Sequence, residues 1–200
     1  MKEYLFSENE LELIKILKSN PPKKIWWEPI FYIFEYDNFF IELGIECAEK
    51  INLGCDSEKM AKNTPISDLE QYVMIAKLKR VNHNFKPQIG SELLIVNEKI
   101  TELNIVRTLL FYCQHKQSQD RSHLFYLDSS QINPKLEISK ELKIERTFLA
   151  DVGLWIRCDN KILNCFIIDN DDDFSTNSLY SQNDNLKQDK KEFYSFIETD

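Results

Sequence analysis

Apolar and polar positions change period several times along the chain. Near the start, Leu11, Leu13, Ile14 and Leu17 recur at the spacing of one helical face. Ser7 and Glu10 stand just ahead as a capping box, hydroxyl and carboxylate satisfying amides that the first helical turn leaves open. The spacing predicts a helix from Ser7 to Ser19. Asn20-Pro21-Pro22 ends it, because proline has no amide to donate and clashes with the preceding turn.

The period then drops to two. With Asp37 and Asn38 at the tip of a two-residue type I′ turn, Tyr36 faces Phe39, Phe34 faces Ile41, Tyr32 faces Leu43 and Ile30 faces Ile45. One face of this hairpin is wholly apolar. The other carries Phe31, Ile33, Glu35, Phe40, Glu42 and Gly44, and a slip of one residue would exchange the two faces. A second hairpin follows the same logic around Asp159 and Asn160. It places Ile156 opposite Leu163, Leu154 opposite Cys165 and Val152 opposite Ile167. Cys158 then faces Lys161, so a disulfide to Cys165 is not expected.

Between the hairpins, Tyr72 to Val81 reads as a strand ending in a basic cluster. Ser91 to Ile100 is a further apolar run. Thr101 to Tyr112 could place Leu103, Val106, Leu110 and Cys113 on one helical face, but β-branched Ile105, Val106 and Thr108 favour a strand. The stretch from Glu46 to Gln71 is thin in apolar residues. It reads as a long loop with a short helix near Ser57 to Lys62. Cys113 to His123 reads as a polar connection, and Ile132 to Glu145 as a turn followed by a strand or short helix.

From Asp169 the composition shifts. The last stretch holds nine acidic residues against three lysines, which is −6 of the chain's net −8. It reads as an acidic, partly mobile tail, 169–200, behind a single domain of residues 1–168, with Phe193, Tyr194, Phe196 and Ile197 able to form an amphipathic turn that docks back or binds something else. Two hundred residues, 42% of them hydrophobic, suffice for one packed domain without disulfide or metal staples.

Charge and cysteines narrow the classes. An acidic chain repels phosphate backbones, so nucleic acid is not an expected partner, whereas a basic protein is. No apolar run is long enough to span a membrane, and the first residues lack the pattern of a secretory signal. The five cysteines form no CxxC pair. Free thiols in a reducing compartment, and hence a cytoplasmic protein, are the expectation.

Little in the sequence points to chemistry. Asp169, Asp171 and Asp173 alternate like a calcium loop, but Phe174 and Tyr180 stand where the loop needs glycine and glutamate. With Asp172 they read as solvated carboxylates ending a strand, or as a contact patch for a basic partner. Cys113, His115 and His123 lack the further ligand that a zinc site requires. Neither a phosphate-cradling loop nor a nucleophile motif occurs, and no cofactor is expected.

The expectation is therefore an α+β protein of antiparallel hairpins with the N-terminal helix packed on a sheet. Its expected role is non-enzymatic: a protein-binding inhibitor of a basic partner. Size, acidity and missing motifs resemble, in style alone, the small immunity proteins that bacteria keep against their own toxins. That resemblance implies a cytoplasmic neutraliser covering a toxin domain's active site. The expected contacts are Glu35, Glu42, Asp169, Asp171, Asp172 and Asp173, with Phe40 and Trp155 as apolar anchors. A small-ligand-binding regulatory domain, with homodimerisation open, and a carboxylate hydrolase built on Glu35 and Glu42 are the alternatives.

Overall fold

The N-terminal helix begins where the capping box puts it, and the other regular elements among the described residues are strands. The computed structural model describes residues 1–28, 31–52, 70–82, 85–89, 91–115, 124–128, 142–159, 162–166 and 194–199. In chain order the elements are β1 (Lys2–Tyr4), α1 (Glu8–Ser19), β2 (Lys24–Glu28), β3 (Phe31–Glu35), β4 (Phe40–Asn52), β5 (Glu70–Val81) and β6 (Glu92–Val96). These are followed by β7 (Ile100–His115), β8 (Leu124–Asp128), β9 (Leu142–Cys158), β10 (Ile162–Phe166) and β11 (Tyr194–Glu198). The protein is α+β, with one helix and mostly antiparallel strands among the described residues.

Ser7 is the N-cap of α1, and the Glu10 carboxylate accepts hydrogen bonds from the Ser7 amide at 2.9 Å and the Ser7 hydroxyl at 2.6 Å. Asn20 ends the helix in an extended conformation, its amide donating to the Ile16 carbonyl. The buried stripe is Glu10, Ile14 and Leu17, so the helix is turned slightly from the expected face and Leu11 is exposed. A carboxylate takes the inward place at the first turn because it has donors to meet there.

One sheet has five strands in the order β5-β4-β3-β2-β6. The β3–β4 register is the expected one: Phe34 opposite Ile41, Tyr32 opposite Leu43 and Glu35 opposite Phe40. The turn differs. The Tyr36 amide donates to the Phe39 carbonyl, but of the described non-glycine residues only Asn97 has positive φ. Asp37 and Asn38 thus avoid the left-handed backbone that type I′ demands. Lys23 pairs with Asp37, and the Tyr36 and Phe39 rings stack at 4.5 Å across the tip. These contacts close the hairpin without the strained turn. The expected loop from Glu46 is partly strand, since β4 runs to Asn52 and pairs with β5 beyond a bulge at Cys47/Glu49. The short helix near Ser57 to Lys62 lies outside the described residues.

The other sheet has six strands, built on the pair β7 and β9. Residues 101–112 are strand, as their β-branched content indicated. β11 and β8 pair with β7, while β10 and a parallel β1 pair with β9. The β9–β10 register is again the expected one, with Leu154 opposite Cys165, and Cys158 is buried. β11 pairs Tyr194–Glu198 with β7, so the end of the acidic tail docks as a strand.

The main core lies between the sheets and under α1. It joins Ile14 and Leu17 to Ile25, Phe34, Ile41, Leu43 and Leu78 of one sheet and to Leu103, Ile105, Leu154 and Ile156 of the other. Alternate side chains point to opposite faces. A second cluster therefore takes Val106 and Trp155, the sequence neighbours of Ile105 and Leu154, together with Val73, Ile75, Leu110 and Phe148. Trp155 is 1% exposed, and the expectation of an exposed anchor there is corrected. It sits near the end of β9, between β7 and β10, and packs in the second cluster.

Two buried carboxylates fasten the helix to both sheets. Glu10 also accepts the Leu78 amide of edge strand β5 at 3.1 Å and lies 3.3 Å from the Lys77 ammonium. Burial alone would push its carboxyl up. The bonds from Ser7 and Leu78 and the Lys77 charge outweigh that and hold it below the usual carboxylate range. In β9, a bulge opposite Val106/Arg107 brings Asp151 beside Arg107, which donates from Nε at 2.7 Å and from Nη2 at 3.2 Å. The same carboxylate accepts the Phe6 amide at 2.8 Å. A third carboxylate, Glu49, bridges the sheets: it accepts from Lys2 at 2.7 Å, Tyr4 at 2.6 Å and Arg146 at 3.0 Å. The Lys2 and Tyr4 hydrogen bonds hold it below the usual carboxylate range, and burial followed by the Glu49 bond pushes the Tyr4 phenol up to about 12.

Asp151→Asn should destabilise the fold by about 3–5 kcal/mol in urea unfolding, because Arg107 is left without its counter-charge in a site where Asp151 is 1% exposed. A loss below about 1 kcal/mol would show that the clamp is dispensable. Glu49 is lowered on folding, so its contribution is present above the unfolded pKa, near 4.5, and disappears as pH falls through the folded value. Glu49→Gln should therefore be less stable than the parent at pH 7, with the gap closing in unfolding curves taken below about pH 4. A gap that persists unchanged into acid would mean that the ionised carboxylate is not its source.

Candidate functional site

The outer face of the five-stranded sheet concentrates aromatic and charged side chains. Its composition follows from strand alternation: with Tyr32 and Phe34 in the core, Phe31, Ile33 and Glu35 must point away from it. Across the sheet, register aligns Trp26, Ile33, Glu42 and Lys79 in one row and Lys24, Glu35, Phe40 and Val81 in the next. Ile33 is only 3% exposed although it lies on the outer face. What covers this face includes Phe85, from the segment after β5. Its ring lies 5.9 Å from that of Trp26 and 6.0 Å from that of Phe40, tilted against both.

A half-open pocket of about 290 Å³ lies among Phe31, Ile33, Phe40 and Phe85, with Glu42 and Lys86 also on its wall. The carboxylates beside it are held. Glu42 pairs with Lys79 at 2.7 Å. Glu35 accepts the Trp26 indole N–H at 2.8 Å and pairs with Lys24 at 3.4 Å, and the Lys24 ammonium stands 5.7 Å from the Trp26 ring. Glu35 and Glu42 thus each have a lysine partner on the same sheet face.

Of the expected contact residues, Glu35, Phe40 and Glu42 meet on this one face. Trp155 is in the core of the other sheet, where the Arg157 guanidinium lies 5.2 Å from its ring. Asp169, Asp171, Asp172 and Asp173 lie outside the described residues. Cys113 and His115 belong to the end of β7 rather than to a connection, and His123 is outside the described residues. No group of three or more histidine, cysteine or acidic residues able to hold a metal occurs among the described residues. No helix there is long and apolar enough to cross a membrane.

Sequence reasoning missed Phe85 and Lys86 as site residues. Phe85 stands in the polar stretch from Asn82 to Gln88, where no periodicity marks a lone phenylalanine as a lid over a distant strand. Phe31 was legible as a residue of the hairpin's mixed face, but not as pocket wall, and the place of Trp26 beside Phe85 was not legible.

No protein-family model matches this chain, and comparison with curated proteins and with solved structures returns no match. The site's own geometry is thus the ground for a functional reading.

Phe85→Ala should remove the pocket's outer wall while leaving the fold intact, since Phe85 belongs to neither buried core cluster. The expected loss is about 1–2 kcal/mol in urea unfolding, with a red shift of tryptophan emission as Trp26 gains water. Unchanged emission would show that Phe85 does not shield Trp26.

Proposed function

We propose that the protein is a non-enzymatic binding protein whose target is a basic protein, and that the outer face of the five-stranded sheet makes the contact. The observation that carries this reading is the gathering of Phe31, Phe40 and Phe85 with Glu42 around one half-open pocket, with Glu35 paired beside Phe40 on the same sheet face. Aromatic side chains that are partly covered and rimmed by charge are the usual anchors of protein interfaces. The net charge of −8 supports a basic partner, because opposite fields steer encounter and reject like-charged competitors. Inhibition of a toxin domain in the cytoplasm is the narrower form of the same reading. A small-ligand regulatory domain is the second reading, supported by the existence of the pocket itself.

The test is capture of a partner by the tagged full chain from a lysate of its own cell, at low and at high salt. The proposal expects one basic, stoichiometric protein, released by salt and identified by mass. Phe40→Ala should weaken that complex by about 2 kcal/mol, as expected of an interface anchor. Glu35→Gln with Glu42→Gln should slow association and flatten its salt dependence. Absence of any stoichiometric protein at low salt, or a complex indifferent to all three substitutions, would overturn the reading. Thermal stabilisation by a small molecule in the absence of a protein partner would favour the second reading instead.

A further inference from the structure

The pocket's size and lining point to the kind of group it receives. At about 290 Å³ it stands at the lower limit of the range typical of ligand pockets, about 300–1,000 Å³. Such a space suits one side chain better than a large cofactor. Three phenylalanines, Phe31, Phe40 and Phe85, stand among the residues of its wall, with Ile33, Val81 and Gln88 beside them. Aromatic faces carry a negative quadrupole and attract cations, more strongly as water is excluded. Glu42 adds a full negative charge to the same wall, and its side chain is only 18% exposed.

The present partner of Glu42 is a weak one. The Lys79 side chain is 65% exposed, and a solvated ammonium holds a carboxylate loosely. A guanidinium is better matched. It is planar, less strongly hydrated, stacks on aromatic rings and offers a fork of donors to a carboxylate. We infer that this pocket takes an arginine side chain of the basic partner, stacked among Phe31, Phe40 and Phe85 and bonded to Glu42 in place of Lys79. This rests on the protein-binding reading above and names the chemistry that the site recognises.

Lys86 supplies a test of sign. It is exposed and carries the other charge on the pocket wall, so it opposes a cationic occupant and would assist an anionic one.

The experiment titrates the isotope-labelled full chain with arginine blocked at both ends as amides, followed by amide NMR shifts. Citrulline blocked in the same way, which keeps the shape and loses the charge, is the control. Saturable shifts around Phe40, Glu42 and Phe85 are expected with the arginine probe, in roughly the millimolar range for so small a ligand. Citrulline and the Glu42→Gln variant should each bind roughly tenfold more weakly, and Lys86→Gln a few-fold more tightly. Equal binding of the two probes, no saturable shift up to tens of millimolar, or weaker binding by Lys86→Gln would overturn the inference. Capture of a basic protein that weakens on Phe40→Ala, without any arginine binding, removes the arginine pocket and leaves the protein-binding reading standing. Loss of both removes both.

Discussion

The architecture depends on two buried carboxylates at the start of the only helix among the described residues. Glu10 reaches the edge amide of β5, and Asp151 reaches back from β9 to the Phe6 amide. The helix start is thereby bonded to one sheet through its own side chain and to the other through its backbone. A buried carboxylate costs desolvation unless its lone pairs are met. Here Ser7, Leu78 and Lys77 meet those of Glu10, and Arg107 and Phe6 meet those of Asp151. The satisfied pairs set how the helix lies across the core, more definitely than non-directional apolar packing could.

With that placement made, the five-stranded sheet is divided into two functions. Its inner face gives Ile25, Phe34, Ile41 and Leu43 to the core. Its outer face is free to be mixed, and Phe85 covers part of it without sealing it. The pocket exists because a single ring from a connecting segment leans over a flat strand surface and leaves room beside Phe31 and Glu42. The candidate site is therefore a by-product of rigid strands and one short covering segment. Strand-borne side chains such as Phe40 and Glu42 are held by register, whereas Phe85 is held mainly by its ring contacts.

The sheets are also joined at the other end, where Glu49 of β4 meets Lys2 and Tyr4 of β1 and Arg146 of β9. The bulge at Cys47/Glu49 interrupts β4 just ahead of this carboxylate, as bulges do where a strand must re-aim a side chain. Strand β1 has only three residues and pairs in parallel with β9, so its hold on the sheet is short. The ionic cluster adds to what those few ladder bonds supply.

Much of this was written in local pattern. Period two around Tyr32 to Leu43 and around Leu154 to Cys165 determined both hairpin registers, because a slip would bury the charged face. The capping box and Pro21 determined where α1 starts and stops, since both act within one helical turn. Glu35, Phe40 and Glu42 could be assigned to one face for the same reason of period. Tertiary structure decided what period cannot encode: which faces are covered. Trp155 and Phe40 both stand on mixed strand faces, yet one is packed into a buried cluster and the other remains partly exposed. Tertiary structure alone also brought Phe85 over Trp26, Glu10 to the Leu78 amide and Asp151 to Phe6. These contacts span long stretches of chain, and a residue's own neighbours in sequence carry no record of them.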